Sequence, residues 1–245
     1  SNESNRAGGG IEIAGGTLVY TGGMLTDNET GVITGMGAPG NGGGLHMGGT
    51  ANSTIDGVTV TGNLAAAEGA GLWNAGGTMD VVGATITGNT ASGDLAENGG
   101  GGIYNDGGTL NVDATTTIND NIADGTAGSG GGILSTGGTV TLTGTTVSSN
   151  EANRAGGGIE IAGGDLTLDD VILTDNDAGV TGTAAPGNGG GLHLGGTANA
   201  TISGGMVTGN LAASEGGGLW NNTGAMCVDG TTLSGNIASG AMADN

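Results

Sequence analysis

Apolar residues along the chain come in short alternating runs. Ile11 and Ile13, Leu110 and Val112, Val140 and Leu142, and Leu166 and Leu168 are each separated by one polar or charged residue. A period of two puts successive side chains on opposite faces of an extended strand, so each run predicts a short strand with one face inward. No window carries the three-to-four spacing of an amphipathic helix, and glycine at this density would penalise a helix by about 1 kcal/mol per residue relative to alanine. Three such patches fall within one unit of sequence, as in 103–105, 110–112 and 117–119.

The unit repeats. Glycine triplets begin at Gly8, Gly42, Gly69 (here Gly-Ala-Gly), Gly100, Gly130, Gly156, Gly189 and Gly216. Each is followed 20 or 21 residues later by an asparagine: Asn28, Asn63, Asn89, Asn121, Asn150, Asn176, Asn210 and Asn236. From asparagine to the next triplet the distance varies from 6 to 14 residues. A fixed ruler followed by a variable spacer predicts one structural turn per repeat, with insertions on one edge. The expected fold is all-β: one single-domain parallel β-helix of about eight coils, three short strands per coil and no obvious caps. The longest spacers, 29–41, 90–99 and 177–188, are expected to decorate that edge. Above the coil lies a larger repeat, because SNESNRAGGGIEIAGG at Ser1 returns as SNEANRAGGGIEIAGG at Ser149. Residues 1–148 form a super-repeat of five coils, and 149–245 form a partial second copy of three.

The cassette GGGIYNDGGTLNV at 100–112 and the T-x-x-N or T-G-N endings resemble the right-handed β-helix repeats of bacterial surface proteins. They are most similar to the polymorphic outer-membrane-protein type, with its Gly-Gly-Ala/Gly-Ile and Phe-x-x-Asn signatures. Thr, Ile, Val or Leu stands in place of the signature Phe, and the chain contains no Phe. The resemblance covers all eight cassettes and implies right-handed winding, surface display and adhesion. It speaks to location and shape more than to chemistry.

Sixty-two glycines with only two prolines would suggest disorder if scattered, but much of the glycine falls at fixed cassette positions, where tight corners need it. Twenty-three acidic against two basic residues give a net charge of −21. That balance disfavours nucleic acid and anionic lipid, which require a basic surface. A solvated acidic surface, salt tolerance or cation binding are the uses it fits. The single cysteine, Cys227, excludes an intramolecular disulfide framework and is expected to point outward, as a neutral replacement or an intermolecular crosslink. No apolar run approaches the roughly 20 residues needed to span a bilayer. The chain starts at Ser1 with no signal peptide, which reads as a mature or excised piece, and continuing or self-stacking ends make head-to-tail copies of itself the expected partner.

Three sets of residues are candidates for function. The residue following each triplet-plus-apolar group forms a column of Glu12, His46, Trp73, Tyr104, Leu134, Glu160, His193 and Trp220. Because the preceding apolar residue points inward, this column should leave the opposite face. Such a stripe suits glycan stacking or a lateral protein contact, unless spacers or a neighbouring chain cover it, and it should bring Glu12 to His46 and Glu160 to His193. The closing asparagines form a second column, expected to be structural. Asp27, Asp120 and Asp175 precede three of them and are weak calcium candidates, with no other cofactor implied and no calcium-loop motif present. Function is then expected to be non-enzymatic: an extracellular structural element of a surface fibre or filament, with an adhesin stalk as the alternative. A polysaccharide lyase or hydrolase is the rival class, opposed by the lack of lysine and by the duplication of nearly every notable residue. An ice-binding or mineral-binding face is a third option, since threonines cluster at 115–117 and 145–146, although no T-x-T column persists through every coil.

Overall fold

The structure, a computed structural model, describes residues 1–31, 39–179 and 187–240. Among them there is no helix, and every strand pairing is parallel. The strands form three sheets that run the length of the molecule. One has fourteen strands, one has eight strands of three residues, and one has nine strands of two residues. Each of the eight cassettes supplies one rung, and Glu3–Ser4 adds a further strand to the two-residue sheet. The chain is thus a parallel β-solenoid whose register continues unbroken across the super-repeat boundary, where Thr146–Ser148 pairs with Ile172–Thr174.

The period-two pattern decides which residues fill the interior. In the eight-stranded sheet the middle residue of each strand points inward, giving a stack of Leu25, Val60, Ile86, Ile118, Val147, Leu173 and Val207, each at most 5% exposed. Inward residues of the fourteen-stranded sheet, among them Leu72, Met79, Val81, Ile103, Leu110 and Ile133, complete one continuous core. Burying a side chain of this size contributes about 1.5–3 kcal/mol, so the thin shaft is stabilised mainly by repetition.

Three strands per coil needs correction in two places. A fourth, two-residue strand follows each asparagine, such as Ile122–Ala123, in what reads from sequence as spacer. Two residues with an alanine inward are too short to show a period. In addition, the first two patches of the fourth and fifth coils are not separate, because Ile103–Val112 and Ile133–Thr143 run as single strands through the glycine pair, with a register irregularity there.

The corner before each asparagine is left-handed. Asp27, Gly62, Gly88, Asp120, Ser149, Asp175, Gly209 and Gly235 all have φ between +52° and +67°. Short polar side chains tolerate this conformation by bonding locally, so Asp and Ser alternate with Gly at one geometric position.

Candidate functional site

The predicted stripe is one unbroken ladder. Registered pairs link Glu12 to His46, Trp73, Tyr104, Leu134, Glu160, His193 and Trp220 in that order. Rungs lie about 4.8 Å apart, close enough for rings to stack directly. The His46 and Trp73 centroids are 4.3 Å apart at 13°, those of His193 and Trp220 are 4.2 Å apart at 3°, and Tyr104 follows Trp73 at 5.9 Å and 4°. His46 Nδ1 lies 3.1 Å from Glu12 Oε1, and His193 Nδ1 contacts Glu160 Oε2.

The stripe leaves the face opposite the core, yet from Trp73 to His193 it is covered. Trp73, Tyr104 and Leu134 form an apolar cluster of their own, and Glu160 and His193 are buried as well. The cover comes from each cassette's own glycine triplet, which curls back over the stripe residue four positions on. A Cβ added to Gly42 would lie 2.6 Å from the Cβ of His46, and one added to Gly189 would lie 2.7 Å from that of His193. Both glycines also have positive φ, so the fold-back admits glycine for two reasons. Alternation correctly predicts the face but cannot reveal this return.

The residues just before the triplets extend the cover. Ala7 pairs with Asn41, and Glu68, Gly99, Ser129, Ala155 and Asn188 are joined by single parallel bridges. Glu68 reaches from this column to the stripe. Its carboxylate accepts hydrogen bonds from Trp73 Nε1 (3.1 Å), Asn41 Nδ2 (3.0 Å) and Asn98 Nδ2 (2.9 Å). Glu215 repeats this for Trp220 at 2.8 Å. Neither spacing nor alternation marks these glutamates, although a signal exists: glutamate immediately precedes the triplet only in the two tryptophan cassettes.

Electrostatics follow from this enclosure. Burial pulls the His46 imidazole below its ordinary value, against the opposing pull of Glu12, and Arg6 lowers it further. Burial pushes the Glu68 carboxyl up, against the three donors that favour its charge. The Tyr104 phenol is pushed well above its ordinary value by burial and by the charge of Glu68. Chemically, each unit is a carboxylate–imidazole pair capped by an indole whose N–H is held by a second carboxylate.

The asparagine column is a hydrogen-bond spine. Asn89 donates to Asn121 Oδ1 twice, from Nδ2 at 2.9 Å and from its backbone N–H at 3.1 Å, and Nδ2 also donates to Val60 O at 3.0 Å. The same double donation links Asn28, Asn63, Asn89, Asn121, Asn150, Asn176, Asn210 and Asn236 in sequence. A second interior ladder, absent from the sequence reading, joins Asn74 to Asn105 (2.7 Å) and Asn105 to Ser135 (3.1 Å), and these side chains also donate to the glycine-pair carbonyls of Gly77, Gly108 and Gly137.

Asp27, Asp120 and Asp175 do not converge. They occupy left-handed corners on the first, fourth and sixth rungs, a position that glycine fills on other rungs. Among the described residues no group of three His, Cys, Asp or Glu side chains is placed to hold a metal ion. Nor, among them, is any helix long and apolar enough to cross a membrane. Cys227 is exposed in an outward column beside Thr201. Of the long spacers, 90–99 is described, whereas parts of 29–41 and 177–188 lie outside the described residues.

No protein-family model matches the chain, and comparison with curated proteins and with solved structures likewise returns no match.

Proposed function

We propose that the chain is a segment of an extracellular structural fibre, built from right-handed coils of the bacterial surface-protein type that its cassettes resemble. The observation that carries this reading is the asparagine spine, which repeats the same double hydrogen bond from rung to rung without a singular site anywhere along it. Catalysis calls for one asymmetric constellation, whereas Glu12, His46 and Trp73 recur as Glu160, His193 and Trp220. The lyase rival is further weakened because Arg154 is already engaged, with Nη1 donating to Ser129 Oγ. Glycan binding through the stripe loses its surface, since most of the stripe is buried, so an adhesin would have to use another face.

The last described rung is open to continuation. Val228 is 41% exposed and Leu233 50%, whereas Ile202 and Val207, their neighbours in the same inward columns, are 3% and 1% exposed. A further rung, from the same chain or a second copy, would cover both and satisfy the unpaired strand edge. Head-to-tail addition of this kind gives a filament.

Negative-stain microscopy of the chain at high concentration tests the reading. One copy is a rod on the order of 38 Å long at about 4.8 Å per rung. Longer rods of constant width are expected, shortened to single copies by Val228→Asp with Leu233→Asp. Uniform short particles from the unaltered chain would overturn end-to-end assembly.

A further inference from the structure

The eight three-residue strands, from Met24–Thr26 to Thr232–Ser234, present two outward residues on every rung. The first outward column carries Thr59, Thr85, Thr117 and Thr146 on four successive rungs. The second carries threonine or serine on seven of its eight rungs, with Asn119 as the exception. Met24, Ile172 and Met206 interrupt the first column, so the full T-x-T pattern is not continuous, but every rung keeps at least one hydroxyl. None of the residues in these strands is charged, on a chain of net charge −21. Chance does not readily clear one whole face of carboxylates while they border it on both sides.

We propose that this face binds the surface of ice. Where a rung carries hydroxyls in both columns, as at Thr59 and Thr61, Thr85 and Thr87, Thr146 and Ser148, and Thr232 and Ser234, they lie about 6.7 Å apart along the strand, and neighbouring rungs repeat at about 4.8 Å. Both repeats lie close to those of water oxygens on exposed planes of ice. Threonine suits the task because its β-branched side chain is stiff at χ1, which holds hydroxyl and methyl in fixed places. The hydroxyl joins the water lattice while the methyl excludes mobile water beside it. A charged side chain would instead keep a hydration shell of its own; these strands carry none, and carboxylates reach the face only at its edge, where Thr174 Oγ1 donates to Asp175 Oδ2 at 3.0 Å and Asn119 Nδ2 donates to the Asp120 carboxylate.

Two other occupants fit less well. Crystalline sugar polymers favour aromatic platforms against their ring faces, and no aromatic residue lies on these strands. A second copy is opposed by charge. Asp27, Asp120 and Asp175 border one edge of the face, and Asp56, Asp113 and Asp169 border the other. Two faces packed at about 10 Å would bring these rows within about one screening length of each other.

The test is ice shaping and thermal hysteresis of the 245-residue chain, with Thr87→Lys on the face and Thr167→Lys on the neighbouring sheet, where Thr167 is exposed. The unaltered chain and Thr167→Lys are expected to facet ice crystals and hold their growth point below the melting point, and Thr87→Lys to lose both effects. Should the lysine variant fail to show the parent β-sheet spectrum, Thr85→Val with Thr87→Val removes two hydroxyls while keeping shape and strand preference, with the same loss expected. Rounded crystals and no hysteresis from the unaltered chain would overturn the proposal, as would equal loss in Thr167→Lys. A concentration-dependent dimer that Thr87→Lys abolishes would reassign the face to self-association.

Discussion

The two Glu–His–Trp stacks have the same residues in the same register but sit in different surroundings. The Glu12 side chain is 46% exposed and that of Glu160 only 2%, with their histidines at 13% and 6%. The difference comes from the adjacent rungs. Leu134 lies directly before Glu160, whereas no described residue pairs with Glu12 on that side. At the far side the relation reverses: Tyr104 covers Trp73, while Trp220 sits on the last described rung and is only half-buried. In a solenoid each repeat contacts only its neighbours, so sequence copies become energetic copies only when their neighbours match.

The sharpest way to break this comparison is to delete the carboxylate from each copy. Glu160→Ala leaves a buried imidazole without its partner and is expected to cost at least about 3 kcal/mol, the top of the range for a buried polar group left unsatisfied. Glu12→Ala removes a half-exposed partner and should cost less than about 1 kcal/mol. Urea unfolding of the two variants measures both, and equal losses would mean that neighbouring rungs do not set the environment. Next in size is Leu134→Ala, which removes the cover that only the second copy possesses. Leu134 is fully buried, so a loss of about 3 kcal/mol is expected from transfer and cavity formation. Because Leu134 touches Glu160 through the ladder, Leu134→Ala with Glu160→Ala should cost less than the two single losses combined.

What the sequence reveals of all this divides along a physical line. Features set by fixed spacing are legible: the rungs, the spine from Asn28 to Asn236, and the order of the stripe from Glu12 to Trp220. Each depends only on one lap of chain having a constant length. Features set by where the chain returns are not. The fold-back of Gly42 over His46 and the reach of Glu68 to Trp73 Nε1 depend on spacer geometry, which no periodicity encodes. The interior pair Asn74 and Asn105 is hidden for another reason. A buried asparagine is costly unless satisfied, and its satisfaction comes from the carbonyls of Gly77 and Gly108 at a corner that appears only once the strands are placed. Asp27, Asp120 and Asp175 show a further case, because the left-handed corner they occupy becomes visible only once φ is known.

The smallest expected effect concerns protons in the first copy. Burial lowers the His46 value more than Glu12 raises it, so a proton NMR titration should give a midpoint below the ordinary 6.5. The consequence for stability has a definite sign. As pH falls through 6.5 the unfolded chain takes up a proton that folded His46 still refuses, so the unfolded state gains. The contribution of His46 is therefore fully present above 6.5 and is lost as pH falls from there to the lowered native value. Glu68 works in the other direction, since its raised value makes the contribution present below the ordinary 4.5 and lost as pH rises through the raised one. Glu12→Gln removes the acidic pull on His46 and should move its midpoint further down, at little cost in stability. A midpoint above 6.5 in the unaltered chain would show instead that the half-exposed carboxylate outweighs burial, and that the first copy behaves as an ion pair in spite of its thinner cover.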